Sequence, residues 1–281
     1  MKLRIVTLSE NTASRQDLLA EWGLSILLET PEANVLLDTG ATLTAVHNAD
    51  ALDVDLKKID KIVLSHGHKD HSGGLRTLLH RLKKEVEIIA HPDVFQSKWG
   101  RSKNQPDRFS GFPYRVEELE SLGARFNITK EPVKISEHIT TTGEVPMVTD
   151  FEQVDERLYT KQPSGFVPDK LMDDKALVVT IDMGLVVILG CAHRGIVNTL
   201  YHAQKLTGLK QIHAVLGGCH LIRASRERVE KTVSALKEMG VQRLGVSHCT
   251  GMPASVVMAY EFGDKFFFNN AGTITRIPEE K

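Results

Sequence analysis

The sequence is poor in cysteine, with three thiols in 281 residues. A small, odd number excludes a disulfide framework and fits a reducing compartment. An excess of one charge is also missing. Lys and Arg total 35 against 36 Asp and Glu, a formal net charge of -1, so the basic balance of a nucleic-acid binder is absent. Long apolar runs are missing too. Leu185 to Leu189 is far too short to cross a bilayer. At the start, Lys2 and Arg4 lead into polar Ser9, Glu10 and Asn11, not into the apolar stretch of a signal peptide. The expectation is a cytoplasmic protein with a small-molecule substrate and no nucleic-acid or membrane partner. A homo-oligomer remains open.

Hydrophobic residues make up 41%, enough for a sizeable core. The chain reads as one domain over residues 1–281, since α/β folds often run to this length. Strands are expected at Leu3 to Leu8, Leu24 to Leu28, Asn34 to Leu37, Lys61 to Leu64 and Glu87 to Ala90. A helix follows Gly40 to about Ala51, and Leu75, Leu78, Leu79 and Leu82 show helical spacing. Residues 95–115, rich in Gly, Pro, Ser and basic side chains, read as a lid-like loop, and residues 150–174 as a second loop. The second half opens with a hairpin, Leu177 to Ile181 and Leu185 to Leu189. Helices follow near Ile196 to Leu206 and Arg226 to Met239, and strands at Ile212 to Leu216 and Val241 to Val246. Ser225 is a natural N-cap for the second of these helices and Gly240 its stop.

The histidines are placed unevenly. His66, His193, His220 and His248 each stand at or just past the end of an expected strand, where α/β sheets bind ligands. The densest stretch is Ser65-His66-Gly67-His68-Lys69-Asp70-His71. Three imidazoles and a carboxylate within six residues suit Zn²⁺, and also Fe or Mn. In a tight loop His66 and His68 can face one metal ion while Asp70 and His71 face a neighbour. His47, His80, His138, His202 and His213 have no partner pattern and read as surface or capping residues.

His66-Gly67-His68-Lys69-Asp70-His71 matches the His-x-His-x-Asp-His signature of the metallo-β-lactamase superfamily. Leu36-Leu37-Asp38-Thr39-Gly40, Gly190-Cys191-Ala192-His193 and His248 resemble its remaining motifs. Stretches such as Thr142-Gly143-Glu144-Val145-Pro146, Asp173-Asp174-Lys175-Ala176-Leu177 and Gly217-Gly218-Cys219-His220-Leu221 are similar to one subfamily. It is the group of the dihydropterin–ribofuranosylaminobenzene phosphate synthase of methanopterin biosynthesis. The resemblance implies an α/β fold, an αββα four-layer sandwich of two similar halves. It implies that His66, His68 and His193 hold one metal, that Asp70, His71 and His248 hold a second, and that Asp38 orients a ligand imidazole. One departure stands out. Two-metal members usually carry a bridging aspartate between the third and last histidine motifs, yet no aspartate lies between His193 and His248. Cys219 and His220 stand where it is expected, and His220 is therefore read as a ligand. The cysteines themselves, each within two residues of such a histidine, read as buried packing residues.

The implied activity is metal-dependent hydrolysis of a small, anionic phosphoester, ester or lactone by hydroxide generated at one or two zinc ions. Asp70 would act as ligand and base, and His220 as proton donor. Lys98, Arg101, Lys103 and Arg108 on the lid, with Arg194, are expected to clamp an anion, while Phe109, Phe112 and Tyr114 stack on a ring. His91, at a strand end, is a further substrate contact. Two other readings stand beside this one: a transferase joining a dihydropterin to an aminobenzene ribose phosphate, and a non-enzymatic metal or redox sensor. The oxygen-reducing di-iron branch has Glu where this chain has His68, which counts against redox chemistry.

Overall fold

Val, Ile and Leu dominate the expected strands, and such residues favour extended, buried backbone. The computed structural model describes residues 1–278, so the end of the single-domain reading, 279–281, lies outside the described residues. The chain divides into two compact units. One comprises Lys2–Lys130, Val154–Asp173 and the stretch from Asn270. The other comprises Glu131–Gln153 and Asp174–Asn269, with Met1.

The first unit holds a seven-stranded sheet in the order Ile274–Ile277, Leu3–Ser9, Ser25–Glu29, Asn34–Leu37, Lys61–Val63, Val86–Ala90, Ala124–Ile128. Its first four strands run antiparallel to their neighbours; the pairs from Asn34–Leu37 onward are parallel. Parallel pairing needs crossovers, which include the helices Thr44–Ala51, Leu75–Leu82 and Val116–Ser121. Leu75, Leu78, Leu79 and Leu82 all face one core, shared with Val6, Leu36, Ile62 and Ile88.

The second unit repeats this plan. Its six-stranded sheet runs Ile139–Thr141, Ala176–Ile181, Gly184–Leu189, Ile212–Gly218, Arg243–Ser247, Phe266–Phe268. The first three strands are antiparallel and the last four parallel. The helices Ile196–Thr207, Arg226–Glu238 and Met252–Phe262 are the crossovers. Ser225 caps the middle helix by accepting from the Arg228 N–H at 3.2 Å. The expectation of two similar halves thus agrees with each sheet's order. The parallel strands also explain where the candidate site residues sit. In one unit their C-terminal ends deliver Asp38, His66 and His91; in the other, His193, His220 and His248.

The two loop readings are corrected by the structure. Residues 95–115 contain the hairpin Lys98–Ser102 and Gln105–Phe109, and residues 150–174 contain the hairpin Leu158–Gln162 and Gly165–Pro168. The two pair with each other through Leu158↔Gly100 and Thr160↔Lys98 into a four-stranded antiparallel sheet. Arg101 lies 4.2 Å over the Phe166 ring, and Trp99 meets Phe109 and Phe166 edge-on. Turn residues masked these strands, and the partner that completes each hairpin lies far along the chain. Among the described residues no helix is long and apolar enough to cross a membrane.

Leu79 is 1% exposed, and truncating such a leucine leaves a cavity. Leu79→Ala should lower unfolding free energy by about 2–5 kcal/mol, read as a fall in the urea midpoint at unchanged slope.

Candidate metal centre

In the first unit the strand Lys61–Val63 leads through Leu64-Ser65 into the histidine loop. The loop is pinned on every side. Asp38, itself fully buried, accepts from the Ser65 N–H at 2.7 Å, the Ser65 hydroxyl at 2.6 Å and His71 Nδ1 at 2.7 Å. That last bond fixes the proton of His71 on Nδ1 and makes Nε2 the nitrogen whose lone pair could bind a metal. The Leu24 N–H donates to the Asp70 carbonyl and the Lys69 N–H to the Ser110 carbonyl. Gly67 packs so tightly that a Cβ there would lie 2.2 Å from the Val94 carbonyl oxygen, so no other residue fits.

The donors converge. His66 Nε2 and His68 Nδ1 lie 2.9 Å apart. Two nitrogens bound to one tetrahedral zinc at ordinary bond lengths sit about 3.3 Å apart, so a small adjustment admits an ion. Burial pushes His68 down to about 3, against a smaller opposing pull from Asp70. The imidazole is held neutral, which is the form that ligates metal.

Lys98 is the largest correction to the expected anion clamp. It is fully buried, and its ammonium donates to Asp169 and Asp173 at 2.9 Å each. Asp173 in turn accepts from the Gly67 N–H at 2.7 Å, so the lysine braces the histidine loop. The two sides of the triad respond differently. Burial opposes the charge of Lys98, but Asp173 and Asp169 together raise it above its ordinary value. Burial also pushes Asp169 up, more than the lysine lowers it. Two carboxylates share one cation, so the lysine is well compensated and one acid is not. Arg101 is likewise engaged, with Asp107 at 2.9 Å. Phe112 packs against Phe95 and Tyr114, and the Tyr114 hydroxyl donates to the Gly73 carbonyl. These rings support the fold. His91 is buried, and its Nδ1 accepts from the Asp93 N–H at 3.0 Å, capping the turn Pro92–Phe95.

In the second unit the donors stand on strained backbone. Ala192, His220 and His248 have φ of 48°, 45° and 51°, and Asp38 in the first unit has 59°. Left-handed non-glycine residues cost on the order of 1–3 kcal/mol each and gather at functional sites. His193 and His220 have ring centroids 4.1 Å apart. Ligand atoms of Cys191, His193 and His220 lie within 4.8 Å of one another, as do those of Cys191, His248 and Cys249. Arg194 is buried, with its side chain donating to the Val145 carbonyl and its N–H to Asp174. Glu152 accepts from the Val197 and Asn198 N–H groups at 3.0 and 2.8 Å, a carboxylate at the N-terminus of Ile196–Thr207.

The three thiols differ. Cys219 belongs to the apolar core with Val215, Leu221 and Val246, and burial pushes it up to about 12. Burial also pushes Cys249 up, but hydrogen bonding to Cys191 and His220 and the imidazoles of His220 and His248 outweigh it and lower the thiol. The sequence pattern treated all three alike, placed Lys98 in an anion clamp and missed its carboxylate partners Asp169 and Asp173. The only signal was Asp173 beside Asp174 in a stretch that resembled the subfamily.

Residues 23–205 match the family described as the Metallo-beta-lactamase superfamily. The 7,8-dihydropterin-6-methyl-4-(beta-D-ribofuranosyl)-aminobenzene-5'-phosphate synthase of Methanocaldococcus jannaschii is 32% identical, over 98% of this chain and 96% of its own. An uncharacterized protein of the same organism is 29% identical over 97% and 100%. A crystal structure described as a metal-dependent hydrolase of the beta-lactamase superfamily superposes with a TM-score of 0.83 at 28% identity, covering 97% and 98%.

Asp38→Ala should lower zinc affinity about 10–100-fold, measured by competition with a chelating dye. Lys98→Met strands two buried carboxylates and should cost about 3–5 kcal/mol. The folded-state pKa of Lys98 lies above the ordinary 10.5, so its stabilisation is complete below 10.5 and is lost as pH rises through the folded value. Denaturation midpoints from neutral to strongly alkaline pH should therefore fall more steeply for the wild type than for Lys98→Met.

Proposed function

The chain belongs to the metallo-beta-lactamase superfamily, and from that premise we propose that it is a zinc-dependent hydrolase of a small phosphoester, ester or lactone. The observation that carries the reading is the histidine loop, with three buried imidazoles locked between Asp38 and Asp173. His66, His68 and His193 would hold one ion and Asp70, His71 and His248 a second, as the family resemblance implies. A bound zinc ion supplies an acidified water and polarises the scissile bond.

The chain's own groups do the rest. Asp38 keeps His71 in the ligating tautomer. Burial keeps His68 neutral. Asp70 serves as base for the attacking water and His220 returns a proton to the leaving group. Lys98 and Arg101 are bound to carboxylates of their own, so any selectivity for an anion falls to other cations, Arg194 among them.

A second reading is favoured by one finding. The relative that matches 98% of this chain is named as a synthase. Joining a dihydropterin pyrophosphate to an aminobenzene ribotide would use the same metal-centred activation of a phosphate-bearing substrate.

Zinc-loaded protein, assayed on phosphodiesters, esters and lactones, should turn over at least one class. Asp70→Asn should lower that rate about 10²–10⁴-fold, and His68→Ala should lose zinc by elemental analysis. No turnover of the panel, with coupled product from the two pterin-pathway substrates, would move the assignment to the transferase. A wild-type chain that retains no metal would overturn both.

A further inference from the structure

The second unit offers two donor sets that share one atom. Cys191 Sγ lies within 4.8 Å of donor nitrogens of His193 and His220, and equally within 4.8 Å of Cys249 Sγ and a nitrogen of His248. We propose that Cys191 is a thiolate ligand common to two metal positions, with Cys249 joining His248 at one of them. The proposal rests on the metal-dependent reading above and names the bridging anionic donor that this reading lacks.

Four observations lead there. The sequence has no aspartate between His193 and His248, so the carboxylate that would bridge two ions in related two-metal sites is missing. A neutral imidazole binds one ion; a thiolate sulfur carries charge and enough lone pairs to serve two. Next, the thiols divide by surroundings. Cys219 packs among aliphatic side chains, whereas Cys191 and Cys249 lie outside that apolar cluster and next to imidazoles, although all three are buried. Burial alone therefore does not account for the pair.

The backbone is also built around these sulfurs. Cys249 Sγ accepts from the His220 N–H at 3.2 Å, the kind of bond that steadies a ligating sulfur. Gly218 leaves them room: a Cβ there would lie 2.7 Å from Cys249 Sγ and 3.3 Å from Cys191 Cα. Finally, the left-handed conformations of Ala192, His220 and His248 fall beside these same residues. Three strained positions around one cluster indicate that donor placement is held against local preference.

The ligand class follows from the donors. A mixed sulfur and imidazole set selects zinc and other thiophilic cations over magnesium or calcium. Each ligating thiol releases its proton to solvent as the metal–sulfur bond forms.

Cobalt(II) is the probe, added alone to reduced apoprotein. The wild type should show an intense near-ultraviolet sulfur-to-cobalt charge-transfer band. Cys191→Ala should lose most of that band and about half of the bound cobalt, Cys249→Ala should lose part of the band, and Cys219→Ala should keep both. Circular dichroism establishes that each variant is folded, and the wild-type spectrum decides the question without any of them. Cobalt bound with only weak visible bands overturns the thiolate proposal and leaves the metal-dependent reading standing. So does a Cys191→Ala variant with the full band. A wild-type chain that binds no cobalt overturns both.

Discussion

Asp38 sits at the end of the strand Asn34–Leu37, with no exposed surface, and accepts three hydrogen bonds from Ser65 and His71. A buried carboxylate is costly unless its lone pairs are satisfied. Here those donors come from the segment that carries the candidate ligand histidines. The fold cannot bury Asp38 without placing Ser65 and His71, and it cannot place them without fixing the path from His66 to His71. Backbone bonds from Leu24 and Thr39 to the Asp70 and His71 carbonyls hold the same loop in register.

Asp173 repeats the device at another point of the same loop. It accepts from the Gly67 N–H, and its charge is balanced by Lys98. The lysine is brought there by the small hairpin sheet, so that sheet is part of the support of the histidine loop. The second unit follows the same logic with different parts. Glu152 holds the start of the helix after His193, and Asn198 accepts from the Val148 and Thr149 N–H groups. In both units, buried polar groups from loops position what the strand ends deliver.

The sheet plan gives this economy a physical origin. Each unit builds a hairpin and then adds parallel strands through helices. Parallel strands end together at one edge, so residues just past those ends are neighbours although they are far apart in sequence. The chain uses this edge in both units, for Asp38, His66 and His91 in one and for His193, His220 and His248 in the other. Sharp turns are needed to aim a side chain back from such an edge, which is why left-handed backbone appears at Asp38, Ala192, His220 and His248.

The sequence by itself determined most strands of the two large sheets, most of the helices and the histidine loop. Hydrophobic periodicity and ligand spacing are local properties, and the role expected of Asp38 came with the family resemblance. Tertiary structure alone decided the rest. Lys98 read as a lid cation for clamping an anion, because the acids that claim it stand 71 and 75 residues away. The segments read as loops are strands, because each hairpin is completed by the other. The thiols looked equivalent until the fold put Cys219 among aliphatic side chains and Cys191 and Cys249 among imidazoles. Burial and pairing depend on which distant segments meet, and no local pattern in the chain encodes that.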